Sequence, residues 1–132
     1  MWIGGNISEQ SASDFLMLEN VEYKTGRYYL GKPVYTKIFK TSGLEFKDMY
    51  IPVGELVIDR VVNIQAMFKG KKEEMEYQYP VPYYSGTGSY VFFNKYDSKS
   101  KQLVFASNSE WVNYYLWITL EYTKLIDPVV TA

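Results

Sequence analysis

The sequence predicts an all-β protein, an antiparallel β-sandwich of jelly-roll-like type with a short non-β arm at its N-terminus. Apolar and polar residues alternate with a period of two through much of residues 21–127, as in strands with one buried face. Phe, Trp and Tyr make up 18% of the 132 residues, and such rings suit a pleated, half-buried surface. Clusters of Gly, Pro, Ser and Asp interrupt the pattern at short intervals, and no long helical period occurs.

The length fits one domain, whose limits follow from changes in composition. Residues 1–20 are rich in small polar side chains, which predicts an N-terminal arm or docking segment. Residues 21–127 carry the alternating pattern and form the predicted β-sandwich domain. Asp127-Pro128 ends that domain and leaves residues 128–132 as a tail.

The first strands are predicted on either side of a tight turn or bulge at Gly31-Lys32-Pro33. Tyr28–Leu30 precede this turn, and the side chains of Val34–Phe39 alternate between two faces after it. Gly31 allows the positive φ that a tight turn needs, and Pro33 stiffens the exit while giving up a backbone donor.

A central strand is predicted over Leu56–Phe68, because β-branched residues are dense there and turn residues flank both ends. The flank that follows is Lys69–Lys72. Tyr77–Tyr84 contains two prolines, which remove ladder donors, so an extended edge segment or a loop is expected. Ser85–Ser89 is expected to be a flexible loop.

A hairpin and one long strand complete the predicted domain. The hairpin joins Tyr90–Tyr96 to Lys101–Ala106 through the turn residues Asp97–Ser100. The last strand covers Trp111–Lys124, with the even-numbered residues from 112 to 122 on one face and the odd-numbered residues on the other.

Composition excludes several kinds of chemistry. The chain has no Cys and no His, which excludes disulfides, thiolate metal sites, cysteine nucleophiles and Ser-His-Asp arrangements. No spacing singles out a carboxylate pair of the glycosidase type, and no loop has the Asp and Asn density of a calcium site. We therefore expect a protein that is not an enzyme, with no catalytic residues, metal or other cofactor.

Charge and hydropathy make two further partners improbable. Basic and aromatic residues alternate near Tyr23 and Tyr35, but the net charge of −1 argues against nucleic-acid binding. Apolar runs fall well short of the roughly 20 residues that a spanning helix needs, so we expect no membrane insertion.

Two stretches together resemble a module of tailed bacteriophages. Thr25–Phe39 contains Gly31-Lys32-Pro33, an apolar residue and Tyr35, and Trp117–Lys124 is an apolar run that ends in Glu-Tyr-Thr-Lys. The pair resembles the C-terminal β-sandwich modules of phage and prophage virion surface proteins, such as tail-fibre, baseplate or receptor-binding proteins and head fibres. The resemblance covers residues 21–127, and it leaves Tyr35 and Tyr122 as fold residues with buried rings and satisfied hydroxyls.

The resemblance implies a non-enzymatic virion structural module on the surface of the phage particle. It implies a homotrimer that contacts other virion proteins and acts in host adsorption, as a tail-fibre or baseplate receptor-binding domain. Two alternatives remain open. One is a head fibre or capsid decoration protein without a ligand, and the other is a stand-alone carbohydrate-binding module.

Under the adsorption hypothesis, loops at one end of the sandwich would contact a host surface glycan or protein, because loops on rigid β scaffolds often carry function. The predicted ligand-binding residues are Tyr79, Tyr83 and Tyr84, which precede the Gly86–Ser89 loop, with Trp111 as a further candidate. Packing at a trimer interface is an equal alternative for all four.

Overall fold

A computed structural model describes residues 18–44, 48–72, 74–108 and 111–131, and most of these residues lie in strands. The predicted all-β class is confirmed. The strands are β1 (Glu22–Tyr29), β2 (Lys32–Leu44), β3 (Met49–Pro52), β4 (Ile58–Lys72), β5 (Met75–Val81), β6 (Tyr83–Tyr84), β7 (Tyr90–Asp97), β8 (Gln102–Ser107) and β9 (Trp111–Lys124). In this described part of the chain, no helix has both the length and the apolar character needed to cross a membrane.

The strands form two antiparallel sheets with the orders β1-β2-β9-β4-β5 and β3-β8-β7-β6. The chain passes from one sheet to the other after β2, β3, β5 and β8. As a result β2 pairs with β9 and β3 pairs with β8, so strands from opposite ends of the domain become neighbours. Jelly-roll folds share this nesting of early and late strands.

Both sheets contribute to one cluster of buried side chains. The predicted alternation of β9 is confirmed from Asn113 to Tyr122, because the even-numbered residues from Tyr114 to Tyr122 are buried while Asn113 and Tyr115 are exposed. It is wrong at Trp111, which packs against the core and not on the opposite face, because Asn113 has a φ of 64° that interrupts the regular strand. The four-stranded sheet adds buried apolar residues to the same cluster: Met49, Val91, Leu103 and Phe105. Burial of this apolar area is the main force that stabilises the domain.

The central strand differs from its prediction at both ends. It was expected over Leu56–Phe68, but β4 begins at Ile58, because Gly54–Leu56 form a 3₁₀ helix and Val57 has a φ of 53°. The turn expected at Lys69–Lys72 is also wrong. These residues continue the strand because each pairs with a residue of β5.

Two β-bulges also break the strict alternation expected in β4. The register against β9 shifts between Ile58 and Arg60, and again between Val61 and Asn63. A bulge adds one residue to one strand and so reverses which face the next side chains take. Val61 and Ile64 therefore both pack against the core, although strict alternation assigns them to opposite faces.

The proline-bearing segment is confirmed as edge structure. β5 lies at the edge of the five-stranded sheet, and β6 lies at the edge of the other sheet. A cis peptide bond between Val81 and Pro82 separates the two short strands. The loop at Ser85–Ser89 is closed by a hydrogen bond of 2.8 Å from the Ser85 N–H to the Ser89 carbonyl oxygen.

The predicted hairpin of β7 and β8 is confirmed, with a turn held by Asp97. Its carboxylate oxygen Oδ1 accepts hydrogen bonds from the N–H groups of Lys99 at 3.0 Å and Ser100 at 3.2 Å. The hydrogen bonds from Ser100 and Lys99 lower the pKa of the Asp97 carboxyl. This is an Asx-type turn, which explains why Asp begins the connection.

A tight turn between β1 and β2 is confirmed, but it lies at Leu30 and Gly31, whose φ angles are 50° and 82°. Lys32 and Pro33, which the prediction places in the turn, already pair with β1 as the first residues of β2. The tail returns to this turn, because the N–H of Val130 donates a 2.6 Å hydrogen bond to the Gly31 carbonyl oxygen. Most of the predicted arm, residues 1–20, lies outside the described residues. At its end, the N–H of Asn20 donates a 2.7 Å hydrogen bond to the Ile38 carbonyl oxygen of β2.

Replacing Gly31 with Ala is expected to destabilise the protein by about 2–4 kcal/mol, through backbone strain and a clash with the tail. A Cβ at this position would lie 2.6 Å from the Val130 carbonyl oxygen and 2.7 Å from Val129 Cγ1. Gly26 is the matched control, because its φ is also positive at 84° but nothing lies within 4 Å of its added Cβ. Urea unfolding of both variants measures the difference, and equal losses would show that the tail does not pack on the turn in solution.

Candidate functional site

Three of the four predicted ligand-binding residues lie together in one aromatic cluster. We use this name for Phe68, Tyr79, Tyr83, Trp111 and Tyr114. The Phe68 ring centroid lies 4.9 Å from that of Trp111, 5.0 Å from that of Tyr79 and 5.5 Å from that of Tyr83. Phe68 is fully buried, whereas Tyr79, Tyr83 and Trp111 are half-buried around it. The cluster thus joins the ends of β5, β6 and β9 to β4.

Gly70 makes room for the Tyr114 ring in this cluster. A Cβ at position 70 would lie 2.5 Å from Tyr114 Cγ and 2.6 Å from the Asn113 carbonyl oxygen. The indole Nε1 of Trp111 is buried and has no hydrogen-bond partner in the described part of the chain. The geometry is that of packed rings, and a ligand-binding role for Tyr79, Tyr83 and Trp111 stays a prediction.

The fourth predicted residue, Tyr84, lies apart from the aromatic cluster. It follows Tyr83 in a strand, so the two side chains point to opposite faces of the sheet. The Tyr84 side chain is 68% exposed and lines a cleft of about 290 Å³ with Pro82 and Phe92. The four predicted residues therefore do not form a single surface.

Tyr35 and Tyr122 have the structural role that the sequence predicts. Both are buried, with ring centroids 6.1 Å apart. The Tyr122 hydroxyl donates a hydrogen bond to Glu22, and Lys124 Nζ lies 2.6 Å from the other oxygen of the same carboxylate. Burial and then the Glu22 hydrogen bond raise the pKa of the Tyr122 hydroxyl, while a hydrogen bond to Asp127 and burial raise that of Tyr35 to about 12.

Both phenols are protonated at neutral pH, as any tyrosine is, and their raised pKa values keep them protonated above pH 10 in this structural polar cluster. Neither is poised to act as a base or nucleophile. Acidic residues also do not assemble elsewhere: within 18–44, 48–72, 74–108 and 111–131, no three acidic side chains come together as a metal site.

A second aromatic surface, which the sequence analysis did not select, lies on the outer face of the five-stranded sheet. We call this surface the Trp117 face, and it comprises Lys40, Met67, Lys69, Tyr115 and Trp117. Cross-strand pairing sets Trp117 of β9 between Lys40 of β2 and Met67 of β4. Lys40 Nζ lies 4.7 Å from the Tyr115 ring centroid and 5.2 Å from that of Trp117, and Lys69 Nζ lies 5.4 Å from that of Trp117.

A shallow groove of about 450 Å³ runs beside Trp117. Met67 and Pro80 supply apolar walls, and Gln65 and Thr119 supply polar groups. The sequence does contain one signal for this surface, because the alternation of β9 sets Tyr115 and Trp117 opposite its buried face. The lysines and the groove come from distant strands, and only the sheet register brings them to the rings.

A third surface is apolar and lies at the end of the domain where the β1–β2 turn meets the tail. We call it the terminal patch. Its seven large apolar residues have exposed fractions of 41–71%, and they are Tyr28, Tyr29, Leu30, Leu125, Ile126, Val129 and Val130. The hydrogen bond from Val130 to Gly31 joins the two halves of the patch.

No protein-family model matches the chain, and no curated protein or solved structure is significantly similar to it. The three surfaces described above are therefore the structural basis for a proposed function. Residues 25–39 and 117–124 are neighbours in the fold, since Tyr35 pairs with Tyr122 and Lys37 pairs with Leu120.

Proposed function

We propose that this chain is a non-enzymatic structural module of a tailed-phage virion surface protein. In this proposal it assembles as a homotrimer through the terminal patch and acts in host adsorption from a tail fibre or baseplate. The observation that carries the proposal is the terminal patch itself. Monomeric soluble proteins rarely expose a contiguous apolar area above a few hundred Å², and larger areas mark interaction sites.

The size of the terminal patch fits an assembly interface. The seven large side chains are exposed by 41–71%, and Tyr28 and Tyr29, which are consecutive in β1, spread this apolar area over both faces of the strand end. A standard interface buries about 800 Å² on each partner. The patch also lies at one end of the domain, where copies related by a three-fold axis can each contribute the same surface to a closed ring.

The resemblance to phage modules supports the same conclusion from a different direction. Tyr28–Leu30 belong to the first resembling segment, and Leu125 and Ile126 follow directly after the second. The proposed interface therefore takes Tyr28–Leu30 from the first resembling segment, and its other residues follow the second. Contacts with other virion proteins follow from a location on the phage particle surface.

A stand-alone carbohydrate-binding module is the second candidate, and the Trp117 face favours it. Exposed rings beside a groove suit sugar binding whether or not the protein belongs to a virion. The two candidates differ in oligomeric state, because a stand-alone module predicts a monomer.

We expect light scattering to give a stable mass near three times 15.4 kDa over a wide range of protein concentration. Replacing Ile126 with Lys adds a charge to the terminal patch and should shift the protein toward monomer, because an unpaired buried charge is costly. Met75→Lys is the matched control, since Met75 is also exposed, at 60%, but lies outside the patch. A monomeric mass for the unchanged protein at all concentrations would overturn the assembly, as would an unchanged trimer in Ile126→Lys.

A further inference from the structure

We propose that the Trp117 face binds an acidic polysaccharide, a sugar polymer that carries carboxylate groups. The identity of its source, the host cell surface, rests on the proposed adsorption function. The site itself is argued from the rings, the charges and the groove of this face.

Two aromatic rings provide an apolar platform. Tyr115 is 43% exposed and Trp117 is half-buried, and the two lie on the same face of β9. Each sugar ring has a face of C–H groups, which loses unfavourable contact with water when it packs on an aromatic ring. Rings that are fixed in a central strand lose little freedom on binding, which favours affinity.

The lysines on this face are free to pair with an anionic ligand. The ion pairs among the described residues are Arg27–Glu121, Lys32–Asp59 and Lys124–Glu22. Lys40 and Lys69 both lie over aromatic rings, and no carboxylate of the described residues lies within 4 Å of either Nζ atom. Glu121, the acidic residue of β9 on the same face, accepts a 2.8 Å hydrogen bond from Arg27. A carboxylate ligand would therefore complete charge-assisted hydrogen bonds that the protein leaves unmade.

The groove supplies the remaining contacts. Its volume of about 450 Å³ lies within the range of small-ligand sites, which combine apolar walls with a few polar groups. The Gln65 amide and the Thr119 hydroxyl can both donate and accept hydrogen bonds, as sugar hydroxyls require. Met67 and Pro80 pack against the less polar parts of a sugar ring.

The position of the face within the sheet favours a sugar over a peptide. β9 pairs with β2 on one side and with β4 on the other, so its backbone groups are already used. An extended peptide gains most of its affinity by adding to an open strand edge, which this face lacks. Nucleic acid is also disfavoured, because the net charge of −1 provides no long-range attraction for a phosphate backbone.

The test uses alginate, a polymer of uronic acids, and neutral dextran as probes in calorimetric titrations of the full chain. We expect alginate binding that weakens with salt, and much weaker binding of dextran. Trp117→Ala should lower alginate affinity at least tenfold, and Lys40→Gln with Lys69→Gln should do the same. Tyr50→Ala, at a ring that is 58% exposed, and Lys95→Gln are matched controls on the other sheet, and both should bind alginate as the unchanged protein does.

Several results would overturn the inference. The first is that alginate does not bind, and the second is that the folded Trp117→Ala variant binds it as well as the unchanged protein does. The third is that polyglutamate or single-stranded DNA binds as tightly as alginate, which would indicate attraction by charge alone. Circular dichroism and urea unfolding establish that each variant is folded. The mass measured on the same samples separates the proposed trimer from the proposed polysaccharide site. A trimer that does not bind alginate overturns the site, and a monomer that binds alginate overturns the assembly.

Discussion

Replacing Phe68 with Ala is expected to destabilise the protein by about 3–5 kcal/mol, which is a large part of the stability of a domain of this size. Phe68 is fully buried and lies at the centre of the aromatic cluster, with four neighbouring ring centroids within 6.0 Å. Removing its ring leaves a cavity between rings that are fixed on separate strands. Urea unfolding followed by fluorescence measures the loss directly.

Tyr84→Ala is the matched control for Phe68→Ala. It removes an aromatic ring from the same region of the domain, but that ring is 68% exposed. A surface substitution of this kind changes stability by about 0.5 kcal/mol or less. Similar losses in the two variants would show that the rings around Phe68 close the cavity, and that the cluster is less rigid than its packing indicates.

The Phe68 result also bears on the predicted ligand-binding residues. The sequence predicts Tyr79, Tyr83 and Trp111 as ligand contacts because their side chains are aromatic, and Tyr79 and Tyr83 also because they precede a loop. The same features describe rings that pack around a buried Phe68. Sequence alone does not separate the two roles, because the decisive fact is which rings share a neighbour on another strand.

The parts of the fold that could be predicted are those in which one strand has one buried face. β9 is the clearest case, since its even-numbered residues from Tyr114 to Tyr122 line the core without interruption. The hairpin of β7 and β8 was predictable for a related reason, because the Asp97 turn depends only on neighbouring residues. In both, the physical cause is local and therefore visible in the sequence.

β4 shows where this reasoning fails. Its two bulges change the buried face within the strand, and their positions depend on the register against β9. Lys69–Lys72 have the composition of a turn, yet pairing with β5 keeps them extended. The Trp117 face could not be predicted for the same reason, since only the sheet register brings Lys40 and Lys69 to the Trp117 ring.

Stability is expected to fall steeply as the pH rises from 10 to 12. The Tyr35 hydroxyl has its pKa raised from 10 to about 12, and that of Tyr122 is raised further by burial and its hydrogen bond to Glu22. Because the folded-state pKa values are raised, the stabilisation is fully present below pH 10 and is lost as the pH rises toward the folded-state values. Each such tyrosine reduces the unfolding free energy by about 1.4 kcal/mol per pH unit in this range.

Tyr122→Phe separates this effect from the titration of other groups. At neutral pH the variant loses the hydrogen bond to Glu22 and should be less stable by about 1–2 kcal/mol. Above pH 10 its disadvantage should shrink, because the variant has one fewer phenol to ionise on unfolding. Urea unfolding at closely spaced pH values, with phenolate absorbance as a second signal, follows the difference.

In the double variant Tyr35→Phe with Tyr122→Phe, the remaining slope of the unfolding free energy against pH comes from other groups. That remainder includes Tyr96 and Tyr114, whose pKa values burial also raises. If both tyrosines keep their protons in the folded protein, the double variant must have a shallower slope than either single variant. An unchanged slope would mean that Tyr35 and Tyr122 ionise in the folded state near pH 10, so that the polar cluster at this end of the domain is open to water.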